Sequence, residues 1–193
     1  MECRTDIAII GAGPYGLSIA AHLKAKGADF RIFGTSMGVW RDNMPHGMFL
    51  KSEGFASDLF DPKGELTLEK YCKANGYPYA HIGVPVSREL FCDYGMAFQK
   101  RFAPDLDARH VMDVQPADGG FILRLENGET VQAGRVIVAV GISHYAYVPP
   151  ELAKLPATVM RHSSQQQALA NYAGQTVAAV SYTHLTLPTI CSV

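Results

Sequence analysis

The sequence predicts an α/β fold in which a parallel sheet is built on a β-α-β unit and carries an antiparallel β meander. Three observations point there. An apolar run, a glycine-rich turn and an amphipathic stretch succeed one another within the first 34 residues. Apolar segments flank Asn127-Gly128, a pair favoured in tight hairpin turns. A second continuous apolar run, Arg135–Val140, ends at Gly141.

Taken in order, Ile7–Ile10 is a short apolar run suited to a parallel strand buried on both faces. The glycine-rich turn Gly11–Gly16 follows at once, then a helix to about Lys26 with Leu17, Ala20, Ala21 and Lys24 at helical spacing. Gly27 closes that helix, and Phe30–Phe33 is the second strand. Residues 35–86 read as irregular, rich in Gly, Pro and aromatics, apart from a helix from about Thr67 to Ala74. Ser87 is placed to cap a helix running to about Phe102, with Leu90, Tyr94 and Phe98 along one face. Strands are expected over Val111–Val114, Phe121–Leu125, Thr130–Ala133 and Arg135–Val140.

Bulk composition narrows the function classes. At 193 residues the chain suffices for one well-buried domain and is short for two. With 48% hydrophobic residues, 18% charged and a net charge of −1, it has no electrostatic footprint for nucleic acid or an anionic membrane. No apolar run reaches the length of a membrane span, and Met1–Asp6 leads straight into a strand without a signal peptide. The expected location is therefore cytoplasmic. Cysteines at 3, 72, 92 and 191 form no Cys-x-x-Cys pair, which argues against a zinc site or a redox-active dithiol. Cys3, Cys72 and Cys92 are expected to be reduced packing or surface residues. His22, His46, His81, His110 and His144 show no metal-ligand spacing.

The chemistry concentrates in Gly11-Ala12-Gly13-Pro14-Tyr15-Gly16. A lone G-x-G-x-x-G means little, but this one stands between an apolar strand and an amphipathic helix, with a second strand at the right distance. Gly11 permits the tight turn, Gly13 lets backbone approach a pyrophosphate, and Gly16 lets helix and strand pack closely. The helix N-terminus adds unpaired N–H groups and partial positive charge. A Rossmann-like dinucleotide site follows. Such strands usually end in an acid that holds the ribose, and here that place is Gly34; Thr35 and Ser36 offer hydroxyls instead.

Beyond the loop, the chain resembles the flavin-containing monooxygenase superfamily up to about Ala179. Gly11–Gly16, proline included, matches that family's N-terminal FAD loop. Gly38-Val39-Trp40-Arg41 is similar to its Gly-Gly-x-Trp segment, with Met37 in place of the first glycine. Val138-Ala139-Val140-Gly141 resembles its Ala-Thr-Gly strand end, with Val140 for threonine. Met48–Ser52, then Leu59–Pro62, then Leu68-x-x-Tyr71, and later Ser87–Tyr94, follow an order similar to lysine and ornithine N-hydroxylases. The resemblance places Lys51 beside a flavin and Trp40 over it. Of a Phe-x-Gly-x-x-x-His signature only the histidine end, His162, is present, since Pro156 and Thr158 stand at the other positions.

What the resemblance implies is an enzyme that uses NADPH to reduce FAD. The reduced flavin would capture O2 as a C4a-(hydro)peroxide and pass one oxygen to an amine or another small soft nucleophile. It assigns FAD contacts to Gly11, Gly13, Pro14, Tyr15, Gly16, Trp40, Arg41, Lys51 and Gly141, and no catalytic residue or metal ligand. A flavin reductase or dehydrogenase without oxygen transfer, and a stand-alone nucleotide-binding module, remain alternative readings.

The tail reads differently. Gly174–Ala179 has the pattern of a turn and the first strand of a nicotinamide-binding domain, after which a second glycine loop is expected. Val180–Thr189 instead resembles a translated transposase sequencing adapter, and Ile190–Val193 fits the index and stop that would follow it. On this reading residues 1–179 are the FAD-binding domain plus that first strand, and 180–193 are non-native. A fragment of this kind is expected to lack turnover and to expose apolar surface.

Overall fold

A computed structural model of the chain describes residues 3–165 and 168–178. Ala179 and the adapter-like stretch from Val180 to Val193 lie outside the described residues.

Strand β1, Cys3–Ile10, pairs in parallel with β2, Phe30–Phe33, on one side and with β5, Thr130–Val138, on the other. A strand covered on both faces has no polar side to present, which is why Ile7–Ile10 reads apolar without alternation. Ala8 and Ile9 point to opposite faces and both have 0% exposure. Helix α1, Pro14–Ala25, joins β1 to β2 and buries Gly16, Leu17, Ala20 and Ala21. Gly27, in the left-handed region, donates its N–H to the Lys24 carbonyl and ends the helix as expected.

Strands β3, Val111–Ala117, and β4, Gly120–Leu125, form the hairpin that leads through Asn127-Gly128 into β5. The sequence predicts separate strands at 130–133 and 135–140; the structure has one. Thr130–Ala133 pairs antiparallel with β4, and Val131–Val138 pairs parallel with β1, which gives the order β2-β1-β5-β4-β3. Gly134 reads as a break, but it marks a close approach: a Cβ there would lie 3.1 Å from the Asp6 carbonyl oxygen. The meander is thus a continuation of the parallel sheet. Pairing ends at Val138, two residues before the predicted end, although the Ala139 N–H still donates to the Ile10 carbonyl at 2.8 Å. Nor is Arg135–Val140 the buried run expected of it: none of its residues is fully buried, and Val138, on the rim of the sheet, is 68% exposed.

Helix α2, Leu68–Asn75, starts at Thr67, whose hydroxyl accepts from the Lys70 N–H, one residue from its predicted bounds. Helix α3, Arg88–Phe102, has the predicted bounds, with Ser87 Oγ accepting from the Leu90 N–H at 3.2 Å. Leu90, Tyr94 and Phe98 are all buried, in a cluster with Leu17, Ile9 and Ile32. A second cluster gathers Ala8, Phe33, Leu123, Leu125, Val131 and Ala133.

The irregular stretch between β2 and α3 is held by polar anchors where it lacks ladders. The Tyr94 hydroxyl accepts from the Leu59 N–H at 3.1 Å and reaches the Leu66 carbonyl at 2.9 Å. Buried Asp61 accepts from the N–H groups of Lys63, Glu65 and Leu66. Beyond β5 the chain has a short helix, α4, Pro150–Ala153, and single turns. Ala173 and Gly174 make the expected turn, and Thr176–Ala178 carries no strand.

Candidate functional site

The site is built where β1 and β2 end side by side and α1 begins. The Gly11 N–H donates to the Phe33 carbonyl at 2.8 Å, tying the loop to β2. Gly11 has φ +110°, and a Cβ there would meet the Ala139 carbonyl oxygen at 2.3 Å. A Cβ on Gly16 would lie 1.9 Å from the Gly11 carbonyl oxygen. These two glycines serve packing. Gly13 is the contrast: it has an ordinary extended conformation, and nothing lies within 4 Å of where its Cβ would stand.

Gly13 is also the cap of α1, and among the described residues no side chain caps the helix there. Pro14 occupies the first turn, where its missing N–H costs nothing, and no acidic residue stands in that turn. Tyr15 is 81% exposed. The result is an open backbone surface bearing unpaired donors and the positive end of a helix dipole, suited to a pyrophosphate.

At the end of β2, Gly34 has φ +115°, a conformation that disfavours any side chain, so this backbone has no place for the usual ribose acid. Its N–H donates to the Asp107 carbonyl at 2.9 Å. Met37, at φ +52°, turns the chain back so that its N–H donates to the Ala12 carbonyl at 2.9 Å. The two hydroxyls offered by the sequence therefore part ways. Ser36 Oγ is buried without a hydrogen-bond partner among the described residues. Thr35 is exposed, with Oγ1 3.1 Å from His110 Nε2.

Trp40 and Arg41 ride on a π-helical turn, Val39–Asn43. Trp40 is half-buried, edge-on to Phe91 with ring centroids 4.7 Å apart, so it is anchored in the core cluster. Arg41 is exposed, its guanidinium 3.4 Å from the Ser36 carbonyl. Lys51 lies exposed on a bend, and Gly141, at φ +68°, lies exposed on the rim past β5. His162 bonds Ser164 at 2.8 Å, and the Asn43 amide reaches the Ser164 carbonyl at 3.5 Å, which brings that segment beside the turn.

Arg88 is a residue the sequence did not single out. Only 6% exposed, it donates to the carbonyls of Trp40, Arg41 and Met44 at 3.3, 3.0 and 3.1 Å, and also meets His46 and Glu89. It thereby closes the free end of the π-helical turn and holds Trp40 and Arg41 in place. Its position just inside a capped helix carries no sign of burial, so only the fold reveals it. His110, without ligand spacing in the sequence, likewise gives no sign of its place beside Thr35.

Next to this end of β2, Asp107 pairs with Arg31 at 2.8 Å and with Arg109 at 2.7 Å. Bonding to Arg109 holds its carboxyl down at about 2, against some opposing desolvation. Burial raises both the Cys72 and Cys92 thiols, so neither is a thiolate at neutral pH. A cleft of about 340 Å³ lined by Lys24, Asp29, Arg31, Phe102, Pro104 and Asp105 lies at the opposite end of β2, away from the glycine loop.

A family model described as FAD-NAD(P)-binding matches residues 8–143. No curated protein matches the sequence significantly. Among solved structures, a flavin-containing monooxygenase from Stenotrophomonas maltophilia is similar, with TM-score 0.62, 22% identity, 77% of this chain covered and 42% of that one. So is a bacillithiol disulfide reductase from Staphylococcus aureus, with TM-score 0.62, 20% identity and coverage of 81% and 44%. An oxidized steroid monooxygenase bound to NADP gives TM-score 0.58 and 21% identity, with coverage of 72% and 26%. The likeness is one of fold, and this chain spans less than half the length of these structures. No helix among the described residues is long and apolar enough to cross a membrane.

Proposed function

Because the chain belongs to the FAD-NAD(P)-binding family, we propose that it is the FAD-binding part of an NADPH-dependent flavoprotein monooxygenase. One observation carries the cofactor assignment. The open, uncapped backbone at Gly13 faces outward between two glycines whose own side-chain positions are filled by backbone.

In this reading the N–H groups that open α1 bind the pyrophosphate, and Gly13 lets it approach to hydrogen-bond distance. Trp40, Arg41, Lys51 and Gly141 line the remainder of the cofactor. Arg88 positions the turn that carries the first two of these. FAD, once bound, supplies the two-electron redox and oxygen chemistry; the chain's task is to orient it and keep water away. The nicotinamide is assigned to a second domain expected from about Gly174 onward. Acting on a small molecule with O2 in the cytoplasm is part of the same proposal.

An amine is the proposed substrate, N-hydroxylated in the intact enzyme. Support comes from the likeness of Met48–Ser52 and Ser87–Tyr94 to N-hydroxylases, two segments that adjoin here: Phe49 and Ser87 bridge, and the Arg88 N–H donates to the Met48 carbonyl at 2.8 Å. The fold likeness to a disulfide reductase favours a second reading, electron transfer without oxygen insertion.

Purified full chain titrated with FAD tests the cofactor. Quenched flavin fluorescence with a saturable, yellow complex is expected, and folded protein with no affinity for FAD would overturn the assignment. The gene continued past Ala179 separates the two enzyme readings. NADPH-driven O2 consumption with a hydroxylated amine supports the first, and NADPH oxidation with no oxygen incorporated into any product supports the second.

A further inference from the structure

We infer that Thr35 and His110 together hold the ribose of the adenosine half of the dinucleotide, in place of the carboxylate that this backbone excludes; the inference rests on the FAD reading above. The exclusion is geometric. Gly34 stands where the acid is usual, at φ +115°, so no ordinary side chain is tolerated there. The next residue along the strand end is Thr35, which is exposed beside the glycine loop.

Its side chain is held in place. A Cβ on Gly38 would lie 3.1 Å from Thr35 Cβ and 3.3 Å from its Cγ2, so the methyl of Thr35 packs closely over Gly38. The Gly38 N–H donates to the Thr35 carbonyl at 3.1 Å. With the methyl so placed, Oγ1 meets His110 Nε2 at 3.1 Å.

His110 arrives from a distant part of the sequence and is anchored on both sides. The Asp107 N–H donates to the Ile32 carbonyl at 3.0 Å and the Gly34 N–H to the Asp107 carbonyl at 2.9 Å, so this segment adds a short parallel edge to β2. On the other side the Glu126 N–H donates to the His110 carbonyl at 2.9 Å. The arrangement offers one hydroxyl, which donates and accepts, and one imidazole, whose two nitrogens do the same. A ribose diol needs an acceptor for its O–H and a donor to its oxygen. A carboxylate supplies only acceptors, whereas a hydroxyl beside an imidazole supplies both.

The test uses the full chain with FAD, ADP, 2′-deoxy-ADP and 3′-deoxy-ADP, each titrated by calorimetry, and thermal melts to confirm folding. The chain is expected to bind ADP about five- to tenfold more tightly than at least one deoxy analogue, the worth of one neutral hydrogen bond. Thr35→Val and His110→Phe should each bind ADP and that analogue alike, while Thr35→Ser keeps the preference. A folded Thr35→Val that still discriminates overturns the ribose assignment. So does a parent chain that binds ADP and both analogues equally, although the FAD reading then survives. A parent chain that binds neither FAD nor ADP overturns both.

Discussion

Replacing Gly13 and Gly16 in turn by alanine should separate binding from folding within one six-residue loop. At Gly13 the new methyl enters open space in a backbone conformation that alanine adopts freely. The structural cost is that of alanine for glycine at a helix cap, below about 1.5 kcal/mol. The same methyl stands where the proposed pyrophosphate would come, and losing one charge-assisted bond is worth about 2 kcal/mol, or roughly thirtyfold in FAD affinity. At Gly16 the methyl would sit 1.9 Å from the Gly11 carbonyl oxygen, a backbone atom that cannot rotate away. Helix and strand must separate, at a cost of about 3 kcal/mol or more. Urea unfolding followed by circular dichroism measures the stabilities, and flavin fluorescence quenching measures the affinities. A Gly13→Ala chain that binds FAD within about threefold of the parent would refute the pyrophosphate assignment; the scale is that of half a hydrogen bond. Equal stability losses for the two variants would refute the packing argument.

Three further outcomes are expected. Arg88→Met leaves the carbonyls of Trp40, Arg41 and Met44 without their shared donor, and should cost about 3 kcal/mol in urea unfolding. Emission from Trp40, the single tryptophan, should shift to the red as the turn loosens, and an unchanged spectrum would count against the positioning role. Tyr94→Phe removes a hydroxyl bonded to Leu59 and Leu66 and should cost about 1–2 kcal/mol by the same assay. Asp107, held at about 2 against an ordinary 3.8, binds its proton more weakly in the folded chain. Its contribution is fully present above pH 4 and is lost as pH falls through about 2, roughly 1 kcal/mol after allowance for solvent screening. In Asp107→Asn that part of the acid dependence of the melting temperature should vanish.

Local pattern alone determined a good deal of this protein. The β-α-β unit, the cap at Ser87 with Leu90, Tyr94 and Phe98 below it, the hairpin at Asn127-Gly128 and the glycine loop all follow from interactions a few residues apart. Periodicity and turn chemistry report such interactions directly, because burial of one face and a required φ leave their mark on neighbouring residue types. Tertiary structure decided what depends on partners distant in sequence. Whether Gly134 breaks a strand or lets two strands approach depends on Asp6, and the answer merged two predicted strands into β5. Ser36 and Thr35 are equivalent on paper, and only the turn at Met37 buries one and exposes the other. Arg88 and His110 gain their roles from carbonyls and a hydroxyl that lie more than 40 residues away. A hydrogen bond constrains the geometry of both partners but scarcely the composition around either, so such pairs become visible only when the chain is folded.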